Sequence, residues 1–127
     1  MSTVSSSNLT IHSAKHYRDT HSTFDILQFD LELHNRDDRM VRVGELKASL
    51  DDDTHREWLD CSLLSDVRTF REVTDISVTP KSSSRVLAFF KMQRDDSRLN
   101  RPIKCSILVT LDGHAIPWYG ISPYRKN

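Results

Sequence analysis

Six histidines and three short runs of aspartate are the residues of this 127-residue chain whose types and spacing could do chemistry. His12 and His16 stand four apart, with His21 close behind. On a helix that spacing puts two imidazoles on one face, the start of several zinc sites. The surrounding SAKHYRDTHST has no helical apolar repeat and offers no third ligand of the usual type, so solvated histidines are expected. Asp37–Asp38, Asp51–Asp52–Asp53 and Asp95–Asp96 recur at turn-like places. Clustered loop carboxylates can hold Ca²⁺, which takes about six to eight oxygens. If successive strands alternate in direction, Asp37–Asp38 and Asp95–Asp96 share one end of the molecule. Against a cation, Arg36, Arg39, Arg94 and Arg98 flank the same loops, and no glycine follows Asp53 in EF-hand register. Surface ion pairs worth about 0–1 kcal/mol each are the expected role of these carboxylates.

A cysteine nucleophile needs an accessible thiolate beside a base. Cys61 and Cys105 both alternate with apolar residues, Leu59 and Leu63 around one, Ile103 and Ile107 around the other. That pattern turns both inward as small hydrophobes. Free buried thiols are expected, with a bridge conceivable if the two strands face one another. Ser5–Ser7 and Ser82–Ser84 lack a Gly-x-Ser-x-Gly elbow, and three glycines make no phosphate-cradling loop. No catalytic residue, metal ligand or cofactor site is therefore assigned. The most suggestive stretch is GHAIPWYGISPY, residues 113–124. Aromatics with polar tips are enriched at interface centres, so His114, Trp118, Tyr119 and Tyr124 are the candidate binding residues. The competing assignment has Trp118 capping an open end of the fold and Tyr119 packing at an edge.

The elements that must position these residues read as strands. In Phe24–His34, Leu27, Phe29, Leu31 and Leu33 share one parity, and Gln28, Asp30, Glu32 and His34 the other. A period of two is what a strand with one buried face requires. Ile103, Cys105, Ile107, Val109 and Leu111 repeat the pattern. Leu9 and Ile11 mark a first strand. Asn35–Arg39 reads as a hairpin-like connection to a strand over about 40–50, whose apolar parity switches at Gly44. A bulge there is expected. Leu59, Cys61 and Leu63 alternate, and 65–75 fits either a short helix or a ragged edge strand. Ile76 and Val78 precede Pro80. RVLAFFKM, residues 85–92, is apolar on both parities, as in a strand covered on two sides. Asp112–Gly113 is a strong hairpin signal, and Pro117 confines any strand over 115–121 to an edge or breaks it.

Seven to nine short strands, with at most one short helix near 65–75, predict an all-β antiparallel sandwich over residues 8–124. Residues 1–7 form a polar arm and 125–127 a basic tail. A long strand ending in Asn35, a turn, an alternating strand, then Pro80-Lys81-Ser82-Ser83-Ser84 before another strand, resembles immunoglobulin-like sandwiches. The antibody-type Cys, Trp, Cys order is absent, since Trp58 precedes both cysteines. Eighteen basic and eighteen acidic residues cancel. A nucleic-acid binder ordinarily carries a basic excess, and no apolar run is long enough to cross a bilayer. The start, MSTVSSSNLTIHS, lacks a secretory signal's basic and apolar regions. A cytoplasmic, non-catalytic interaction module is expected, binding a protein partner or a second copy of itself through a sheet edge or face. The alternative is a small-ligand or carbohydrate-binding module with optional Ca²⁺ at the aspartate-rich loops.

Overall fold

The computed structural model describes residues 8–51, 58–74 and 76–126. Among these residues are nine strands: β1 (Leu9–Arg18), β2 (Phe24–Asn35), β3 (Val41–Asp51), β4 (Leu59–Asp60), β5 (Leu63–Asp66), β6 (Ser77–Val78), β7 (Ser82–Gln93), β8 (Ile103–Leu111) and β9 (His114–Ser122). They form two antiparallel sheets, one ordered β1-β2-β7-β5 and the other β4-β3-β8-β9, with β6 on the margin of β3. Four strands ordered 1-2-7-5 against 3-8-9 reproduce the connectivity of immunoglobulin-like sandwiches, β4 being a short addition beside β3. The fold is an all-β antiparallel sandwich.

Alternation builds the interior. Leu27, Phe29, Leu31 and Leu33 of β2 are fully buried, facing Ile107 and Val109 of β8, which are equally excluded from water. Burying each such side chain contributes about 1.5–3 kcal/mol. Phe29 meets Phe90 edge-on at 5.8 Å, the arrangement ring quadrupoles favour. The register of β3 against β8 slips between Val43 and Leu46, so the bulge at Gly44 is present and returns Leu46, Ala48 and Leu50 to the core. Leu111 pairs with His114 across Asp112 and Gly113, both at positive φ (47° and 81°), a tight two-residue hairpin.

Several expectations are corrected. Residues 35–39 do not close a hairpin, because β2 and β3 lie in different sheets. Asn35 is buried and holds the crossing in place, its side-chain amide donating to the carbonyls of Arg39 and Val78 at 2.8 Å each. The run 59–63 is not one strand. It steps from β4 in one sheet to β5 in the other, leaving Cys61 half-buried and Leu63 exposed. Among the described residues of 65–75 there is no helix. Asp66 accepts from the backbone N–H groups of Arg68 and Thr69 in a turn that folds back against β5. The one 3-10 turn among the named elements is Asp96–Arg98. Finally, β7 runs antiparallel to β2 with Phe24 beside Gln93. Asp95–Asp96 therefore lie at the end of the sandwich opposite Asp37–Asp38.

Candidate functional site

On the outer face of the second sheet, register fixes which side chains are neighbours. Asp51, Lys104 and Ile121 form one row across β3, β8 and β9. Ser49, Ser106 and Tyr119 form the next, and Lys47, Leu108 and Pro117 the third. Leu59 pairs with Ala48, so Trp58, one residue earlier on an antiparallel strand, comes level with Ser49. The middle row is thus Trp58, Ser49, Ser106, Tyr119: two short hydroxyl side chains flanked by two large rings. All four line one shallow open trough with Asp51, Lys104 and Ile121. Tyr119 is 74% exposed, Ile121 61% and Trp58 49%. Three large apolar groups held in water around one depression are the most notable exposed apolar feature of the described surface, where Met40, Leu63 and Phe70 are placed elsewhere.

The structure separates the four residues the sequence proposed. Tyr119 stands in this trough. Trp118, one residue earlier, turns inward, where its ring lies over Gly120 and meets Phe29 edge-on at 6.2 Å. His114 is exposed at the far end of β9, beside the Asp112–Gly113 turn. Five residues at about 3.4 Å each put it some 17 Å from Tyr119 along the strand. Tyr124 packs edge-on against His16 at 5.5 Å, beyond the end of β9. Trp58, Ile121, Ser49, Ser106 and Lys104 are among the lining residues that sequence reasoning missed.

A second polar constellation sits inside one end of the sandwich. His16 was expected in solvent. The structure buries it instead, at 2% exposure. A bulge between Ile11 and Ser13 makes His12 the extra residue of β1, so His12 reaches outward to Glu32 (2.8 Å) while His16 turns inward. His16 Nδ1 lies 2.7 Å from Ser122 Oγ, a hydroxyl fully excluded from water. Burial holds the imidazole pKa below its ordinary value, and the nearby Arg98 guanidinium adds to this, while hydrogen bonds to backbone carbonyls and the Asp25 carboxylate oppose it. Beside it, Asp25 accepts from Arg18 Nε at 3.2 Å, Arg98 at 3.3 Å and the backbone N–H of Asp95 at 3.1 Å. Asp96 takes Arg18 at 2.7 Å, and Asp95 caps the 3-10 turn. These two carboxylates are already engaged within the fold. A hydroxyl hydrogen-bonded to an imidazole is the beginning of a nucleophile and its base, but no substrate can reach this pair.

The outer face of the first sheet carries a polar lattice. Arg85 makes a two-pronged bond to Asp30 (2.9 and 2.7 Å), which lowers the Asp30 pKa, and His34 lies between Ser83 and Thr10 at 2.8 Å from each. Both cysteines are free. Burial drives the Cys105 thiol up to about 12 and raises that of Cys61 as well. Among the described residues, no group of three His, Cys, Asp or Glu is placed to hold a metal ion. Asp52 and Asp53 lie outside the described residues.

The sheet edges are largely occupied. β1 is bridged by the segment after β9, with His16 N–H donating to Pro123 O at 3.1 Å and Arg125 N–H to His16 O at 2.8 Å. β5 is covered by the chain folding back over 71–73, through Val73 N–H to Leu64 O at 2.8 Å and Asp66 N–H to Arg71 O at 2.9 Å. β9 is an edge strand interrupted by Pro117, which has no N–H to offer an incoming strand.

Fold and surface together define a small immunoglobulin-like β-sandwich with one aromatic-rimmed sheet face. No protein-family model and no curated protein matches the chain. Two solved structures are similar to it in shape. One is the Pseudomonas fluorescens alkylpurine DNA glycosylase AlkC bound to DNA containing an abasic site analog, at 10% identity and a TM-score of 0.48, over 94% of this chain and 31% of that one. The other is the collagen binding subdomain of the Enterococcus faecalis surface protein ACE, at 7% identity and a TM-score of 0.35, over 91% of this chain and 96% of that one. The chain thus spans under a third of the glycosylase's length.

Proposed function

We propose that this domain is a non-catalytic interaction module that binds a protein partner through the outer face of the β4-β3-β8-β9 sheet. The observation that carries the reading is the exposure of Trp58, Tyr119 and Ile121 around one trough floored by Ser49 and Ser106. Rings of this kind, partly desolvated before contact and stiff enough to lose little entropy on binding, are what interface centres use. The occupied edges of β1 and β5, and the proline in β9, favour a face over strand addition as the mode of binding. Lys47 and Lys104 against Asp51 and Asp60 leave the face without a basic excess, which supports a protein rather than a nucleic acid or an anionic membrane. Two free thiols, one of them buried, support a reducing, cytoplasmic setting. The non-catalytic part of the proposal has its own support. The inner Ser122–His16 pair is sealed, and the exposed Ser83–His34 pair has Thr10, not a carboxylate, behind its second nitrogen.

A photo-crosslinking residue in place of Ile121 tests the reading, with the same residue in place of Leu63 on the opposite sheet as control. Protein adducts are expected from position 121 and not from 63. Adducts from neither position, or equally from both, would refute it.

A second reading rests on the same two rings. Trp58 and Tyr119 are three strand spacings apart, about 14 Å between backbones, with hydroxyls between them, so a flat sugar could lie between two stacking surfaces. Quenching or a blue shift of Trp58 emission on titrating simple saccharides would favour this ligand-binding module, with or without Ca²⁺. An unchanged spectrum at millimolar sugar would exclude it.

A further inference from the structure

His16 is tied to the segment that follows β9 through both its backbone and its ring. Its N–H donates to Pro123 O at 3.1 Å and its carbonyl accepts from the Arg125 N–H at 2.8 Å, an isolated parallel bridge on the margin of β1. Tyr124, between those two contacts, sets its ring edge-on to the imidazole at 5.5 Å. Nε2 faces the carbonyls of Arg98, at 3.4 Å, and Arg101, so the neutral ring carries its proton on that side. Nδ1 is then the acceptor for the Ser122 hydroxyl, 2.7 Å away. We propose that residues 123–126 are a latch over the β1 edge, which acid releases by placing a proton on His16 Nδ1.

With the latch shut, that proton is poorly accommodated. It obliges Ser122 to turn from donor to acceptor in a place fully excluded from water. Burial, the largest influence, and the Arg98 guanidinium hold the closed-state pKa down, while the carbonyls of Arg98 and Arg101 and the Asp25 carboxylate oppose them. That carboxylate is already shared by Arg18, Arg98 and the Asp95 N–H. From the other sides β2 presents Leu27, β9 the Ser122 hydroxyl and the latch the Tyr124 phenol, none of them charged, and the Arg125 guanidinium is held over the Tyr17 ring at 5.8 Å. Among these surroundings the latch is held least. β1 is paired to β2 from Leu9 to Arg18, and Asp25 anchors the 3-10 turn. Residues 123–126 meet β1 through the two backbone bonds, the Tyr124 ring and the Arg125–Tyr17 contact. A short segment held in this way opens at far lower free energy than the sandwich unfolds. Opening wets the imidazole on the side that Tyr124 covers and returns it toward its ordinary pKa of about 6.5. The proton therefore favours the open form, whose share rises by at most about 30-fold between pH 7.5 and 5. Released, the His16 N–H and carbonyl return to a β1 edge that is closed to strand addition at neutral pH.

Hydrogen exchange of the full chain, followed by NMR at pH 7.5 and 5.0 with each amide expressed as protection over its own unfolded rate, tests the latch. At both pH values the His16 and Arg125 N–H groups should be at least about a hundredfold less protected than those of Phe29 and Leu31 in β2. They should also be unmoved by 1 M urea, because the opening exposes little surface. Lowering the pH should cut their protection by about 5- to 30-fold, and His16→Gln should remove that dependence. Tyr124→Ala tests the cover separately, since it takes away a ring that is only partly buried. NMR titration of the His16 ring should then show its pKa moving up toward about 6.5. Protection of the two amides equal to that of the β2 amides would mean that the segment leaves only with the whole fold, and would overturn the proposal. So would protection that does not fall by pH 5, a fall that persists in His16→Gln, or a ring titration indifferent to Tyr124→Ala.

Discussion

Gly120→Ala is the substitution whose cost can be worked most directly from the structure. A Cβ placed on Gly120 would lie 2.1 Å from Trp118 Cη2, 2.6 Å from Cζ2 and 2.9 Å from Cζ3. No side chain tolerates such contacts, so the indole must leave the surface it covers and with it the edge-on contact to Phe29. The loss is bounded by the packing of the whole ring. Truncating a core tryptophan costs about 3–5 kcal/mol, and a partly buried one less, so about 2–3 kcal/mol is expected. For a 127-residue domain the unfolding entropy is about 0.27 kcal/mol/K, so 2 kcal/mol lowers the melting temperature by about 7 °C. Gly120 is not among the residues at positive φ, so alanine is acceptable to the backbone once the ring is absent. In a Trp118→Ala background the same change should then be neutral, or stabilising by about 0.4–1 kcal/mol through the unfolded chain. The two substitutions should therefore couple by about 2–3 kcal/mol. Urea unfolding followed by circular dichroism measures the four corners of the cycle. With Trp58→Phe removing the second indole, Trp118 emission should shift to the red in Gly120→Ala. Equal losses in both backgrounds, or a Gly120→Ala chain as stable as wild type with unshifted emission, would refute the reasoning.

Four further outcomes are expected. Burial lowers the folded-state pKa of His16 below the unfolded value of about 6.5, so the unfolded chain gains protons first as pH falls. Its stabilising contribution is complete above about pH 6.5 and is lost below it as the folded pKa is approached. His16→Gln should flatten the slope of the urea midpoint between pH 7 and 5, and an unchanged slope would count against it. Asp25→Ala removes the carboxylate shared by Arg18, Arg98 and the Asp95 N–H, and should cost about 3–5 kcal/mol in denaturant titration. Phe70 is 75% exposed at φ +56°, so Phe70→Gly should stabilise the chain by up to about 1 kcal/mol. Cys105, its thiol raised to about 12 by burial, should react with a thiol reagent at pH 8 only at the rate of unfolding.

The two segments of strict alternation carried most of the architecture in the sequence. Leu27–Leu33 and Ile103–Leu111 each keep one apolar parity, and the structure buries that parity throughout. The parity switch at Gly44 and the Asp112–Gly113 turn were legible because each has a local physical cause. The step between sheets at 61–62 was not. Leu59, Cys61 and Leu63 keep a perfect period of two across a point where the chain changes layer, and periodicity cannot register a change of partner. Asn35 looked like a turn former. Its role in binding the carbonyls of Arg39 and Val78 depends on residue 78, distant in sequence. His16 was misplaced for a similar reason, since the bulge that turns it inward has no glycine to announce it.

The division of the aromatic segment into core and surface, by contrast, follows from residues already in view. A two-residue hairpin over Asp112–Gly113 makes Leu111 and His114 direct partners, and directly paired residues point to the same side of a sheet. Leu111 belongs to the inward parity of β8. Ile116, Trp118, Gly120 and Ser122 must then face the core, and Ala115, Pro117, Tyr119 and Ile121 the solvent, as they do. Trp118 and Tyr119, adjacent in sequence and alike in composition, are thereby assigned different work: one seals the seam between the sheets, the other is left standing in water. The remaining half of the rim could not be reached by that arithmetic. Trp58 precedes a two-residue strand, and its place beside Ser49 is set only by the pairing of Leu59 with Ala48. A site made of one strand's outward parity and one loop residue is half visible to period and turn chemistry. The other half exists only once the sheet has assembled.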